Sequence, residues 1–238
     1  MSFDLLTRDW STKKWLNHVE SKFKIVHIEG NIGAGKTTVL NALEQRGYTV
    51  IREPVEKWKF LKKRYEDPKR WMFAFQVEAM TTMVQNIKEQ LKHIKETKDR
   101  WKSNSATIDC RTMSKPIFIE RSLDSYRLFM QIAVEEKLMT QQEYNIIDEI
   151  SLLLDNYDYV NFYLDCSPEE CYRRVKQRNR DGETPSVEYL YKIQDIHHDN
   201  HWEFVNSNND TQTIVEDILS RLTVSVNEPC DRILSKID

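Results

Sequence analysis

At 238 residues the chain is long enough for one substantial α/β domain and too short for two ordinary domains with linkers. Charged residues make up 31% and the hydrophobic set 39%, a composition that folds and stays soluble. A net charge of -3 carries no footprint for wholesale nucleic-acid binding, so any phosphate binding must be local. No apolar run approaches the roughly 18 residues of a membrane span. Asp4, Asp9 and Glu20 argue against a secretory or transit leader. Cys110, Cys166, Cys171 and Cys230 have no metal-ligand spacing and read as reduced thiols of a cytoplasmic protein.

Residues 1 to about 22 read as an N-terminal arm laid over a single domain spanning 1–238. Lys24 to Glu29 (K-I-V-H-I-E) is a short β-branched strand, followed at once by Gly30 and by a helix from Lys36 to Arg46. Tyr48 to Arg52 is a second strand, stopped at Glu53-Pro54 because proline removes a ladder donor and restricts the residue before it. Glu53 therefore stands at a strand's carboxyl end. From Trp71 to about Ile94, apolar residues spaced alternately four and three apart predict a long helix. Its stripe packs either in the domain's own core or in the seam of a homodimer.

Residues 96 to 115 lose that period and read as a surface loop. Pro116 to Glu120 is a third strand, entering a helix at Arg121, and a further helix covers about Gln141 to Asn156. Tyr159 to Asp165 is a fourth strand. Ser167-Pro168-Glu169-Glu170 then opens a helix with a cap, a proline at the first position and acids in the first turn. It runs into an arginine-rich segment ending near Gly182. A helix from about Ser186, a weak strand at Trp202 to Asn206 and a last helix near Ile214 to Leu222 complete the chain. Strands alternating with helices predict an α/β fold with a central parallel sheet flanked by helices, in which ligands bind at the strands' carboxyl ends.

Gly30-Asn31-Ile32-Gly33-Ala34-Gly35-Lys36-Thr37, followed by Thr38, matches G-x-x-x-x-G-K-[ST] between a predicted strand and a predicted helix. Its backbone N–H groups can curl around phosphate oxygens, with the helix N-terminus adding partial positive charge. Lys36 would reach the β- and γ-phosphates, and the Thr37 hydroxyl can bind Mg²⁺. The chain has no D-x-x-G and no N-K-x-D, which argues against a switch GTPase. Its net negative charge and the lack of a second ATPase domain argue against a nucleic-acid motor.

Five motifs in order then carry a resemblance: G-N-I-G-A-G-K-T-T, E-P-V-E-K-W at 53–58, Y-x-D-P-x-x-W-x-F-x-F-Q at 65–76, E-R-S at 120–122, and the basic stretch from Arg174 to Glu183. From Ile25 to about Trp202 the chain resembles the deoxynucleoside kinases. The resemblance implies a P-loop kinase with an arginine-rich lid, ATP as phosphate donor with Mg²⁺, a deoxynucleoside as acceptor, and a cytoplasmic homodimer with no nucleic-acid or membrane partner.

Carried over by position, Glu53 is the general base on the 5′-hydroxyl, Glu120 and Thr37 organise Mg²⁺, and Arg121 holds the 5′-oxygen and the moving phosphate. Arg174, Arg178 and Arg180 match the lid that closes over ATP. Gln76 matches the glutamine that pairs with the base edge, Tyr65 and Glu183 the pair on the sugar 3′-hydroxyl, and Trp58 a wall of the base pocket. Helical geometry independently puts Gln76, Ala79 and Met83 on one face.

The chain departs from the family at Tyr126, where relatives carry alanine or aspartate, and at Met130, where they carry an aromatic; Phe129 is one position off. Tyr126 and Met130 share a helix face expected to approach the base. That predicts a narrow pocket favouring pyrimidines, with the Tyr126 hydroxyl available to an exocyclic group. Two alternatives remain open. One is thymidylate kinase or another nucleoside monophosphate kinase, against which an acid beside the acceptor's 5′ end argues. The other is a non-catalytic nucleotide-binding module, against which Lys36, Thr37, Glu53 and Arg121 argue together.

Overall fold

The computed structural model describes residues 25–104, 115–152, 159–200 and 202–224. The expected arm at 1–22 lies outside them. Five strands, β1 (Ile25–Gly30), β2 (Thr49–Ile51), β3 (Ile117–Glu120), β4 (Tyr159–Asp165) and β5 (Glu203–Asn206), form one sheet in the order β2-β3-β1-β4-β5. All neighbours run parallel, with Ile25 of β1 opposite Ile117 of β3 and Tyr159 of β4. Parallel strands need crossovers, which here are helical: α1 (Lys36–Gln45), α2 (Leu61–Glu66), α3 (Pro68–Asn104), α4 (Leu123–Glu135), α5 (Gln141–Leu152), α6 (Pro168–Arg178) and α7 (Val187–His198). A last helix, α8 (Thr211–Val224), follows β5.

Strand alternation feeds two cores, one on each face of the sheet. Val26, Ile28 and Phe118 pack with Val39, Leu40 and Leu43 of α1 and with Ile214, Val215 and Ile218 of α8. Ile25, Ile117 and Ile119 face the other way, onto Leu61 of α2, Met72 and Met80 of α3, and Met130 of α4. β1, buried at all of its positions, is the central strand. The chain leaves it for β2 at the edge, returns to β3 beside it, then crosses to β4 on its other side. That reversal opens a crevice at the carboxyl ends of β1 and β3, where Gly30 and Glu120 stand.

The long helix differs from expectation at both ends. It begins at Pro68, where Asp67 Oδ1 accepts a hydrogen bond from the Arg70 amide at 3.2 Å and proline takes the first helical position. It continues through 96–104, so the loop predicted over 96–115 is corrected to helix there; 105–114 lie outside the described residues. Glu96 and Thr97 are exposed, and an exposed turn needs helix-forming side chains but no apolar stripe. Met80 and Val84 of the stripe are buried in the core on this face, with Phe73, Val77, Ile87, Leu91 and Ile94 half-buried against it. The short helix α2, and a 3-10 turn at Val55–Lys57, occupy the segment between the second strand and the long helix, where the sequence pattern predicts no element.

Candidate active site

The loop between β1 and α1 is shaped by close backbone approaches. Gly33 has φ 89°, and a Cβ there would come within 2.5 Å of the Cys171 carbonyl oxygen on α6, so only glycine fits. Asn31, fully buried, ties the loop to α7 by donating to the Leu190 carbonyl at 2.8 Å, while its Oδ1 accepts from the Ile32 amide at 2.8 Å. The Lys36 ammonium donates to the carbonyls of Gly30 at 3.2 Å and Asn31 at 2.9 Å. Burial, and then the neighbouring Arg121, lower its pKa to about 8, against the pull of Glu120 and Glu53. Arg174 reaches across from α6, donating to Glu170 at 2.7 Å and to the Ala34 carbonyl at 3.3 Å.

Opposite the loop, two carboxylates meet. Thr37 Oγ1 donates to Glu120 Oε1 at 3.1 Å, and the Glu53 amide donates to Glu120 Oε2 at 3.4 Å. A threonine hydroxyl beside a carboxylate is a set of hard oxygen donors, which suits Mg²⁺. The Glu53 carboxylate receives Arg121 Nε at 3.2 Å and the Tyr126 hydroxyl at 3.0 Å. Burial pushes its carboxyl above the ordinary range; Arg121 opposes that shift and Glu120 adds to it. The Tyr126 hydroxyl is thus engaged by Glu53, in place of the expected availability to a base. Burial and Glu53 raise its pKa well above that of a free phenol.

Arg121 is held from several sides. Its φ of 65° is left-handed, a conformation that costs a non-glycine residue roughly 1–3 kcal/mol. Its amide donates to the Ile28 carbonyl at 3.2 Å, and its guanidinium lies 4.8 Å from the Phe129 ring centroid. Behind it stands Glu29, wholly buried, 3.9 Å from Arg121 Nη1. Glu29 also accepts from the Ser122 amide at 2.5 Å and from the Ser125 hydroxyl, whose oxygen is 3.2 Å from His197 Nε2. Burial works against the Glu29 charge, yet Arg121, Ser122 and Ser125 outweigh it and hold the carboxyl below its usual range. Sequence reasoning passed over this residue. The signal was an acid within a β-branched run bound for a doubly covered strand, where a charge needs a partner.

A cavity of about 920 Å³ joins the two halves, its wall running from Lys36 and Thr37 through Glu53, Glu120, Arg121 and Tyr126 to Trp58, Tyr65, Gln76, Ala79 and Glu183. Trp58 donates to Thr82 Oγ1 at 3.0 Å and meets the Phe75 ring edge-on at 5.5 Å. Gln76, 2% exposed, has its amide 3.8 Å from the Met72 sulfur. Met83 and Met130, expected at the base, are instead packed into the core below, because their helix faces turn toward Ile25 and Ile117; Phe129 and Ala79 form the wall at that level. Arg178 and Arg180 also line the cavity, but they hold Glu183, at 2.5 Å and 3.8 Å. The arginines expected to form the lid thus engage the very carboxylate expected on the sugar. Gly182, with φ 74°, lies so close to α2 that a Cβ would stand 2.6 Å from Lys62 Cβ.

The sheet order, the phosphate loop and the facing carboxylates define a P-loop phosphotransferase. The family model for deoxynucleoside kinases matches residues 26–237. A probable deoxycytidine kinase of fowlpox virus is 32% identical over 197 residues, covering 79% of this chain and 74% of that protein. Rat deoxycytidine kinase is 30% identical over 211 residues, covering 73% of each. The solved structure of deoxyadenosine kinase from M. mycoides shares the fold, with a TM-score of 0.64 at 24% identity over 84% of this chain and 99% of that one. The chain belongs to the deoxynucleoside kinase family and is an ATP-dependent phosphotransferase. No helix among the described residues is long and apolar enough to cross a membrane.

Proposed function

We propose that this kinase transfers the γ-phosphate of ATP to the 5′-hydroxyl of a deoxyribonucleoside and prefers pyrimidine nucleosides to purine ones. The observation that carries the reading is the buried Glu53 carboxylate, of raised pKa, bound to Arg121 and Tyr126 across one cavity from the phosphate loop. A carboxylate in that setting orients a neutral hydroxyl and takes its proton as it attacks, whereas it would repel an acceptor that already carries a phosphate. This disfavours a nucleoside monophosphate kinase.

In the reaction the loop amides from Gly30 to Thr38 cradle the phosphates of ATP, and Lys36 exchanges backbone carbonyls for phosphate oxygens. Arg121 stands between the base and the transferring group and stabilises the charge that develops there, joined by Arg174, Arg178 and Arg180 from the lid. Thr37 and Glu120 would hold Mg²⁺, which would neutralise phosphate charge. Gln76 and Trp58 receive the base, and Tyr65 and Glu183 the sugar, once Glu183 leaves its arginines.

Tyr126 supports the pyrimidine preference by its volume, since its hydroxyl is engaged elsewhere. The curated relatives named deoxycytidine kinase and thymidine kinase, which cover more than two thirds of this chain, point the same way. Half-buried Ile87, Leu91 and Ile94 on α3 support a homodimer, and the free thiols of Cys166 and Cys171 suit the cytoplasm. A coupled assay with the four deoxynucleosides and their monophosphates tests the reading. Transfer to deoxycytidine or thymidine at a ten- to two-hundred-fold advantage over purines is expected. Transfer to monophosphates alone would overturn it.

A further inference from the structure

Arg64, on α2, is 6% exposed and lines the same cavity as Tyr65, Gln76 and Glu183. Its guanidinium carbon lies 4.3 Å from the Tyr65 ring centroid, 4.7 Å from that of Phe75 and 5.6 Å from that of Tyr189. These rings, with the phenols of Tyr65 and Tyr189, stabilise the charge, but Nε has no hydrogen-bond partner. Among the described residues no carboxylate forms an ion pair with it. Compare Arg127, equally buried, whose guanidinium donates to Asp124 at 2.7 Å and to Asp148 at 3.0 Å. Arg127 braces its helices through carboxylates and lies away from the cavity. Arg64 has no such carboxylate among the described residues and leaves Nε unmatched at the wall of a ligand cavity, where that cost is relieved by what binds there.

Arginine only donates, so the missing group is an acceptor. Glu183 in the same wall disfavours a second anion, which leaves a neutral oxygen. Resting on the nucleoside-kinase reading, we propose that Arg64 is a specificity-determining residue whose guanidinium donates to a neutral oxygen of the bound nucleoside. With the 5′-hydroxyl assigned to Glu53, two acceptors of a pyrimidine deoxynucleoside fit this wall beside Tyr65 and Glu183: the 2-carbonyl next to the glycosidic bond and the 3′-hydroxyl. If the carbonyl is the acceptor, Arg64 reads the base at the position where a purine presents N3 in its place.

The test compares the parent enzyme with Arg64→Met on the preferred pyrimidine deoxynucleoside, its 2-thio analogue and its 2′,3′-dideoxy analogue. On the natural nucleoside the variant should show KM raised roughly ten- to hundredfold with kcat little changed, the pattern of a lost binding contact. The parent-to-variant ratio of kcat/KM should then collapse toward one on the analogue that lacks the oxygen Arg64 reads. Collapse with the 2-thio compound assigns the base, and collapse with the dideoxy compound assigns the sugar. Arg64→Lys, which keeps the charge and loses the planar fork, should give the same pattern with a smaller loss, and it carries the test if the methionine variant fails to fold. A ratio equally large on all three compounds would make Arg64 a structural cation and overturn the inference. A parent inactive on every deoxynucleoside would overturn the underlying reading as well.

Discussion

The donor side of the cavity takes its shape from one run, Gly30–Thr38, while the acceptor side draws Glu53, Arg64, Gln76, Arg121 and Glu183 from separate segments. In the first, backbone amides and a helix N-terminus would do the binding, and Asn31 holds the backbone in place. In the second, side chains would do the binding, and the catalytic ones are positioned by other side chains: Glu53 by Arg121 and Tyr126, Arg121 by Glu29, and Glu29 by Ser125. A site of the first kind should lose function through a few residues. One of the second kind should transmit damage along its contacts.

The sharpest test on the donor side is Lys36→Met, expected to lower transfer by roughly 10³-fold with the fold intact, measured by turnover beside a thermal melt. On the acceptor side, Glu53→Gln should lower kcat by about 10²-fold while nucleoside affinity holds. Near-normal kcat would remove Glu53 from its role. Glu29→Gln distinguishes the two designs, since it touches no substrate. It should still slow turnover roughly tenfold by loosening Arg121. It should also cost about 1–3 kcal/mol of stability, because the buried guanidinium keeps Glu53 but loses the second of its two carboxylates. The Glu29 carboxyl is held below its usual range, so its contribution is present above the unfolded pKa and lost as pH falls through the folded one. Acid melts of parent and variant should therefore converge.

Smaller effects come from pH and from single hydroxyls. Glu53 must be ionised to act, and its pKa is raised, so activity should fall with decreasing pH through a limb above the ordinary glutamate range. Lys36 must be protonated, so kcat/KM for ATP should fall as pH rises past about 8, and Lys36→Arg should move that limb upward. An alkaline limb unmoved in the arginine variant would assign it to another group. Tyr126→Phe, which takes one hydrogen bond from Glu53, should change kcat by only about threefold. Tyr126→Ala should narrow the pyrimidine-to-purine ratio by roughly an order of magnitude.

This contrast also explains what could be read without coordinates. Every strand and the phosphate loop were visible, because short β-branched runs and a glycine-rich spacing are local facts. The helix at 96–104 was missed because its outer turns have no apolar face, and α2 because it is too short for a period to register. Glu53, Glu120 and Arg121 could be placed at the sheet's mouth since each ends a strand. Met83 and Met130 could not be kept out of the pocket from spacing alone. Helical spacing says which residues share a face, but which face meets the cavity depends on the packing of α3 and α4 against the sheet.

Gly182 sits where the two sides of the cavity touch. The lid and the acceptor-side helix α2 meet there with no room for a methyl group between them. On that helix, the neighbouring Arg64 and Tyr65 line the acceptor cavity, and at the lid's end Arg178 and Glu183 are joined. In the proposed reaction, a displacement of the lid on ATP and one of α2 on the nucleoside would be felt at the same contact. By linkage, the factor by which ATP alters nucleoside affinity must equal the factor by which nucleoside alters ATP affinity. Gly182→Ala acts as a spacer between the two, and its signature is a change in that shared factor, read by titrating each ligand in the presence and absence of the other.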